Sequence, residues 1–244
     1  MLQFIAQNPL IFYGVILLTS FLSASVGTGA SFMLIPLAAL YFGPKEGIGI
    51  LTVYFLFQNT SKILLFHKHI AFTFGLRLIL YSIPGAFLGS LALGFLPVEQ
   101  FKKIFAVIIL VYLANELFGF VPKRGMKERQ AIPLFGFAYG FLSGLVGSGN
   151  LIKGPLFLGM KLSNEAYIGT YAFTSFFTNI PKLLTYGAND IVDGSTLLQS
   201  WPFLLISIVG TYLGRLFIRQ IRNDVFFWIL NITFILSALA LLME

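Results

Sequence analysis

Val26-Gly27-Thr28-Gly29 returns 120 residues later as Val146-Gly147-Ser148-Gly149, which points to a chain built from two related halves. The same offset relates Phe21-Leu22-Ser23 to Phe141-Leu142-Ser143, Asn59 to Asn179 and Lys62 to Lys182. Further on, Gly85 and Gly89 match Gly210 and Gly214 at an offset of 125, with the additional residues falling in the polar stretch 187–194. One GxxxG is a weak signal, because small residues pack membrane helices generally. A glycine pair, an Asn and a Lys held in one register indicate a duplicated unit.

The surroundings of the motif are strongly apolar. Of 244 residues, 57% are hydrophobic and 10% charged, and the mean hydropathy is +0.89. Soluble domains carry about 25% charged residues, so the expected class is an all-α integral membrane protein without a soluble domain. Ten apolar pieces follow one another at 9–26, 30–42, 47–66, 72–96, 99–120, 131–146, 151–160, 166–187, 195–219 and 225–243. A spanning helix needs roughly 20 residues, and the second and seventh pieces are short of that. Each follows one of the glycine motifs and contains a proline, Pro36 or Pro155. Such breaks are tolerated in hydrocarbon only where protein or a wet cavity re-satisfies the backbone.

The domain reading is an N-terminal membrane repeat over 1–120, a basic cytoplasmic loop over 121–130 and a C-terminal membrane repeat over 131–244. The net charge of +7 sits mostly in short gaps between apolar runs, which marks topology rather than nucleic-acid binding. With an odd number of crossings per half, Lys68, Arg77, Lys123, Arg124, Lys127, Arg129, Lys161, Arg215, Arg219 and Arg222 share one side. Lys45, Lys102 and Lys103 take the other with Asp190 and Asp193. The positive-inside bias thus favours odd crossings, an inverted repeat, a cytoplasmic central loop and an external N-terminus. Met1 to Asn8 holds no Lys or Arg, so the first apolar run reads as a permanent segment and not a signal peptide.

Broken helices expose unpaired N–H groups and a positive dipole end, which suits anions. An inverted repeat would bring both breaks together near the midplane. The candidate substrate-binding residues there are Gly27, Thr28, Gly29 and Ser31 in the first half and Gly147, Ser148, Gly149 and Asn150 in the second. Close packing of helices is the alternative role for these glycines. Asn59 with Lys62 and Asn179 with Lys182 share a helix face at i, i+3. An intramembrane lysine suggests function, although both lie near a segment end, where the side chain can snorkel to the headgroups. Lys153 is a third cation, with no counterpart in the first half. Asp190, Asp193, Glu46, Glu99, Glu165 and Asp224 fall at segment edges or in loops, and Glu116 near the end of its run. A cation-binding core would need carboxylates, so the expected substrate is a small anion.

Neither a metal nor a cofactor is expected. Cysteine is absent, and His67 and His69 make a poor metal site. No GxxxxGK(S/T) loop for ATP is present, so energy would come from an ion gradient whose ion the sequence does not name. Ser148 between two glycines has no base or orienting acid near it in sequence, which argues against an intramembrane enzyme. An anion channel using the same donors stays open beside a transporter.

The passage from Val26-Gly-Thr-Gly to Pro36, repeated as Val146-Gly-Ser-Gly to Pro155, resembles the sulfite exporter TauE/SafE family of the toluene-sulfonate uptake permease group. The resemblance extends over essentially the whole chain. It departs from the family's pattern at Ala30, where a glycine is common, and at Asn150 and Lys153, where small or apolar residues are. It implies a multi-pass permease of the prokaryotic inner membrane that moves sulfur oxyanions or organosulfonates. The partners it implies are a small anionic substrate and the lipid bilayer, with homo-oligomer formation admitted and no nucleic acid.

Overall fold

The computed structural model describes residues 9–26, 30–118, 128–160 and 162–216. These form nine α-helices and one 3-10 turn, with no strand among the described residues. In order they are α1 Pro9–Val26, α2 Ala30–Phe42, α3 Pro44–Phe66, α4 Phe72–Phe95, α5 Val98–Phe118, α6 Glu128–Val146, α7 Asn150–Gly159, α8 Asn164–Ala188 and α9 Gly194–Leu216. The turn is His67–His69. The apolar run 225–243, the late basic residues Arg219 and Arg222, and most of the central basic stretch lie outside the described residues. Glu128 to Gln130, read from sequence as loop, instead open α6. An acidic residue at a helix start is favoured by the helix dipole.

Three of these stretches are long and apolar enough to cross a membrane, Pro44–His69, Phe72–Phe95 and Gly194–Leu216, with shorter apolar helices at Leu10–Ser25 and Ile132–Val146. Their outer faces are greasy: Leu76, Leu80, Phe87 and Leu88 of α4, and Leu198, Trp201, Leu205 and Val209 of α9 are exposed. The interior holds Ser20, Ser82, Thr174, Thr178, Asn179 and Lys182. Apolar outside and polar inside is the arrangement that a hydrocarbon solvent rewards.

α1 and α2 fold back on each other, so that Phe12 meets Tyr41 and Phe42. α6 and α7 do the same, bringing Ile132 and Phe157 into one cluster. α7 has 10 residues, about 15 Å at 1.5 Å per residue, roughly half of the hydrocarbon thickness. Gly147, at the tip of the second hairpin, lies against Ile35 of α2 and Ile48 of α3. The two hairpins therefore meet in the interior.

α3 and α8 run antiparallel through the centre. Gly49 meets Ile191 and Val192 just past α8, while Gly169 near the start of α8 meets Phe66 at the end of α3. One end of the bundle holds Lys45, whose Nζ donates to the Gly94 carbonyl at 3.2 Å, together with Asn189. The other holds the His67–His69 turn and Arg215, whose guanidinium lies over the Phe66 ring at 5.8 Å.

The hairpins are clasped by helices of the other half. α4 runs parallel to α6, and α9 parallel to α1. A β-carbon at Gly89 would stand 2.0 Å from the Phe141 carbonyl oxygen, and one at Gly214 would stand 2.3 Å from that of Phe21. Gly85 faces the amide of Phe141, and Gly210 that of Phe21. Bare backbones in contact gain dispersion along their whole length, which is the main adhesive available in lipid. The contacts repeat at the 120 and 125 offsets of the sequence.

Candidate functional site

α3 presents Phe55, Gln58, Asn59 and Lys62 along one face at i, i+3, i+4 and i+7. α8 presents Tyr171, Ser175, Asn179 and Lys182 at i, i+4, i+8 and i+11. Because the helices cross the interior side by side, these polar stripes look inward instead of toward lipid. The hairpin α6–α7 closes the space between them with Tyr139, Ser143, Gly147, Ser148, Gly149 and Asn150, and α1 adds Ser23. Together with all but Lys182 of the stripes, these line a cavity of about 40 Å³. One water needs about 10–15 Å³ on this measure, so the space suits a few waters or a small oxyanion.

Lys62 is 3% exposed, and Lys153 and Lys182 are 0% exposed. None snorkels, because each ammonium turns inward. Lys62 Nζ donates to Ser23 Oγ at 2.5 Å and to Gln58 Oε1 at 3.3 Å. Lys182 Nζ donates to Asn179 Oδ1 at 2.9 Å, Gly147 O at 3.2 Å and Ser143 Oγ at 3.4 Å. The two lysines thus hold equivalent serines, Ser23 and Ser143. Lys153 Nζ donates to Ser175 Oγ at 2.6 Å, the Tyr171 carbonyl at 2.9 Å and the Tyr139 hydroxyl at 3.1 Å. It also lies over the Tyr171 ring, 3.8 Å from its centroid. All these partners are neutral. The ion pair found among the described residues is Lys102 with Glu99, far along the sequence from these groups and partly exposed.

The break between α6 and α7 is built locally. Gly147 has φ +84°, a left-handed conformation that strains any residue with a β-carbon. Ser148 Oγ accepts from the Asn150 backbone N–H at 3.4 Å, and Asn150 Oδ1 accepts from the Tyr171 hydroxyl. Gly149 lets the turn press against Tyr139, whose carbonyl oxygen a β-carbon would approach to 2.3 Å.

Of the residues singled out from sequence, Asn59, Lys62, Gly147, Ser148, Gly149, Asn150 and Asn179 line the cavity. Lys153 and Lys182 stand behind it, touching its lining. Gly27, Thr28 and Gly29, and the side chain of Ser31, lie outside the described residues. The sequence reading missed Tyr139, Tyr171, Ser175 and Phe55, and left Ser23, Ser143 and Gln58 unassigned. Ser175 and Tyr171 fall on the helix face already marked by Asn179 and Lys182, so extending that stripe backward by fours would have found both. Among the described residues there is no group of His and acidic residues able to hold a metal.

The sequence model of the family described as Sulfite exporter TauE/SafE matches residues 12–241. No curated protein and no solved structure matches the chain.

Proposed function

Because the chain belongs to the sulfite exporter TauE/SafE family, membrane transporters of sulfur anions, we propose that it carries a small sulfur oxyanion or organosulfonate by alternating access. The observation that carries this reading is the set of three buried lysines around one cavity, none with a carboxylate partner among the described residues. A buried charge without a partner is costly. An anionic substrate supplies the missing charge when it binds and removes it when it leaves.

In this reading the two halves form an inverted repeat. The antiparallel α3–α8 pair and the matched α4–α6 and α9–α1 seams support it. The hairpins enter from opposite faces, and exchanging their positions would expose the cavity to one side and then the other. The substrate is held by Ser148 and Asn150 at the hairpin tip and by Asn59, Lys62 and Asn179 on the helices beside it, with Lys153 and Lys182 as charge support and Thr28 and Ser31 as the contribution of the first glycine motif. The end bearing the His67–His69 turn and Arg215 faces the cytoplasm of a prokaryotic inner membrane, in line with the positive-inside bias.

The test has two steps. Purified protein is heated with sulfite, thiosulfate, sulfoacetate, taurine and plain carboxylates, and a ligand of the native state raises the unfolding temperature. The stabilising anion is then followed in liposomes, where substrate on the far side accelerates exchange. Flux that ignores substrate on the far side describes a pore and overturns alternating access. A carboxylate that stabilises while every sulfur anion fails overturns the substrate class.

A further inference from the structure

Ser23, Ser143 and Ser175 all line the cavity, and each accepts a hydrogen bond from a different buried lysine: Lys62, Lys182 and Lys153. A serine hydroxyl has one proton to give and two lone pairs to receive with. The ammonium takes one lone pair, and its charge repels a second donor approaching the same oxygen. What the hydroxyl has left to offer is its proton. The same ammonium groups occupy other acceptors at the cavity. Lys62 takes Gln58 Oε1, Lys182 takes Asn179 Oδ1 and the Gly147 carbonyl, and Lys153 takes the Tyr171 carbonyl. A lysine ammonium carries three donors and no acceptor, so each one occupies a lone pair on nearby acceptors, and its charge disfavours a second donor at the same oxygen. Asn150 Oδ1 is taken in the same sense by Tyr171. Asn59 can turn its NH2 inward, since an amide presents either end.

We propose that the three lysines make this cavity a hydrogen-bond donor surface that selects oxyanions carrying no proton against oxyanions of equal size and charge that carry one. Sulfate, thiosulfate and sulfonates belong to the first class, and hydrogenphosphate belongs to the second. A proton on the ligand would meet oxygens that already hold a lysine ammonium, and would form a weaker bond than the one it had in water. Lys153 and Lys182 are positioning residues here, acting through Ser175, Ser143 and Asn179. The inference rests on the anion-transport reading above and adds to it a rule for which anions enter.

Sulfate and hydrogenphosphate separate the donor rule from simple charge attraction. At pH 8 both are tetrahedral and mostly doubly charged, and they differ in one O–H. Binding of each is measured on the purified full chain by calorimetry, with methanesulfonate as a singly charged, proton-free third probe. The expected result is sulfate tighter than hydrogenphosphate by roughly tenfold or more, the scale of one unpaired buried donor. Lys182→Met releases Ser143 Oγ, Asn179 Oδ1 and the Gly147 carbonyl, so the ratio should fall to within about threefold while sulfate itself weakens. Lys62→Met makes the same test through Ser23 and Gln58 if the first variant does not fold, and the parent ratio stands without either. Equal binding of sulfate and hydrogenphosphate by the parent overturns the donor rule and leaves anion transport intact. A ratio unchanged in the Met variants overturns the role of the lysines. Absence of binding by all three probes removes the anion reading and this inference with it.

Discussion

The two halves of the chain agree in their scaffold and disagree around the cavity. At the seams the backbone contacts match: Gly89 faces the Phe141 carbonyl as Gly214 faces that of Phe21. The lysines Lys62 and Lys182 also hold equivalent serines. Next to these, the second half carries Tyr139, Asn150, Lys153, Tyr171 and Ser175 where the first, at the 120 offset, has Thr19, Ala30, Met33, Leu51 and Phe55. Five polar or aromatic groups on one side stand opposite mostly apolar ones on the other. The matched contacts belong to the scaffold, while the unmatched groups gather at or against the cavity.

The largest effect is expected at the seams. Gly140 is crossed by the backbone of α4, and a β-carbon there would lie 2.0 Å from the Ser82 carbonyl oxygen. Gly140→Leu forces the α4–α6 seam apart, and no monodisperse protein should elute in size exclusion. Gly154 has open space within 4 Å, and Gly154→Ala should leave elution and unfolding temperature within error of the parent. A well-behaved Gly140→Leu protein would mean that the seams are not what joins the halves.

Next come the matched lysines. Lys62→Met and Lys182→Met keep the stem and delete the charge. Removing one partner of a fully buried ion costs about 3–5 kcal/mol, and a partly wet cavity should give less, about 1–3 kcal/mol, or roughly 5- to 150-fold in affinity. Lys182 has three partners against two for Lys62, so Lys182→Met should lose more. Calorimetry and liposome flux on both variants check the order. Affinity within about twofold of the parent in both would return the site to the hairpin backbone alone.

How much of this was legible beforehand follows from the kind of signal each part leaves. The repeat, the short helices after each glycine motif and the matched Asn–Lys pairs were readable, because each leaves a periodic or punctuated trace in sequence. The depth of the lysines was not. Lys62 lies four residues from the end of α3 and Lys182 six from the end of α8, and sequence position alone allows either snorkelling or an inward turn. Packing decides it, since the antiparallel α3–α8 pair turns both stripes toward the interior. Tyr139 was illegible for a related reason. A tyrosine in an apolar helix looks like core or interface until a hairpin brings Lys153 back beneath it.

A smaller effect is expected from removing what the second half has in addition. Lys153→Met with Ser175→Ala deletes the ammonium together with the hydroxyl that it holds, and gives the second half a methionine where the first has Met33. Changing both together avoids an orphaned ammonium against a lost acceptor, so the protein should fold. Affinity for the best substrate should fall by about 1 kcal/mol, the scale of one ordinary hydrogen bond, with the unfolding temperature near that of the parent. If affinity is unchanged, the asymmetry is packing and recognition lies with the paired lysines.

The smallest expected effect concerns how the halves start their clasping helices. The first turn of α4 is held from a distance: Thr170 Oγ1 of α8 accepts the Ala71 backbone N–H at 2.8 Å. α9 is held by its own loop, where Asp193 accepts from the Thr196 backbone N–H at 2.7 Å and from the Thr196 and Ser195 hydroxyls. Those hydrogen bonds, the backbone N–H of Thr196 first, hold the Asp193 carboxyl at about 2, against about 3.9 for an aspartate in an unfolded chain. The folded value is depressed, so the stabilisation is full above the unfolded value and is lost as pH falls through about 2. Thr170 is fully buried, and Thr170→Val leaves the half-buried Ala71 amide without its partner, which costs about 1 kcal/mol, the low end for an unpaired group. Asp193 is exposed, and water replaces its bonds, so Asp193→Ala should lower the unfolding temperature by less than Thr170→Val does. The difference between Asp193→Ala and parent should also shrink as the pH is lowered from 5 toward 2, while that of Thr170→Val should not change. If Asp193→Ala proves the more damaging, the loop that distinguishes the second half does more than close a gap, and the two seams are not equivalent in strength.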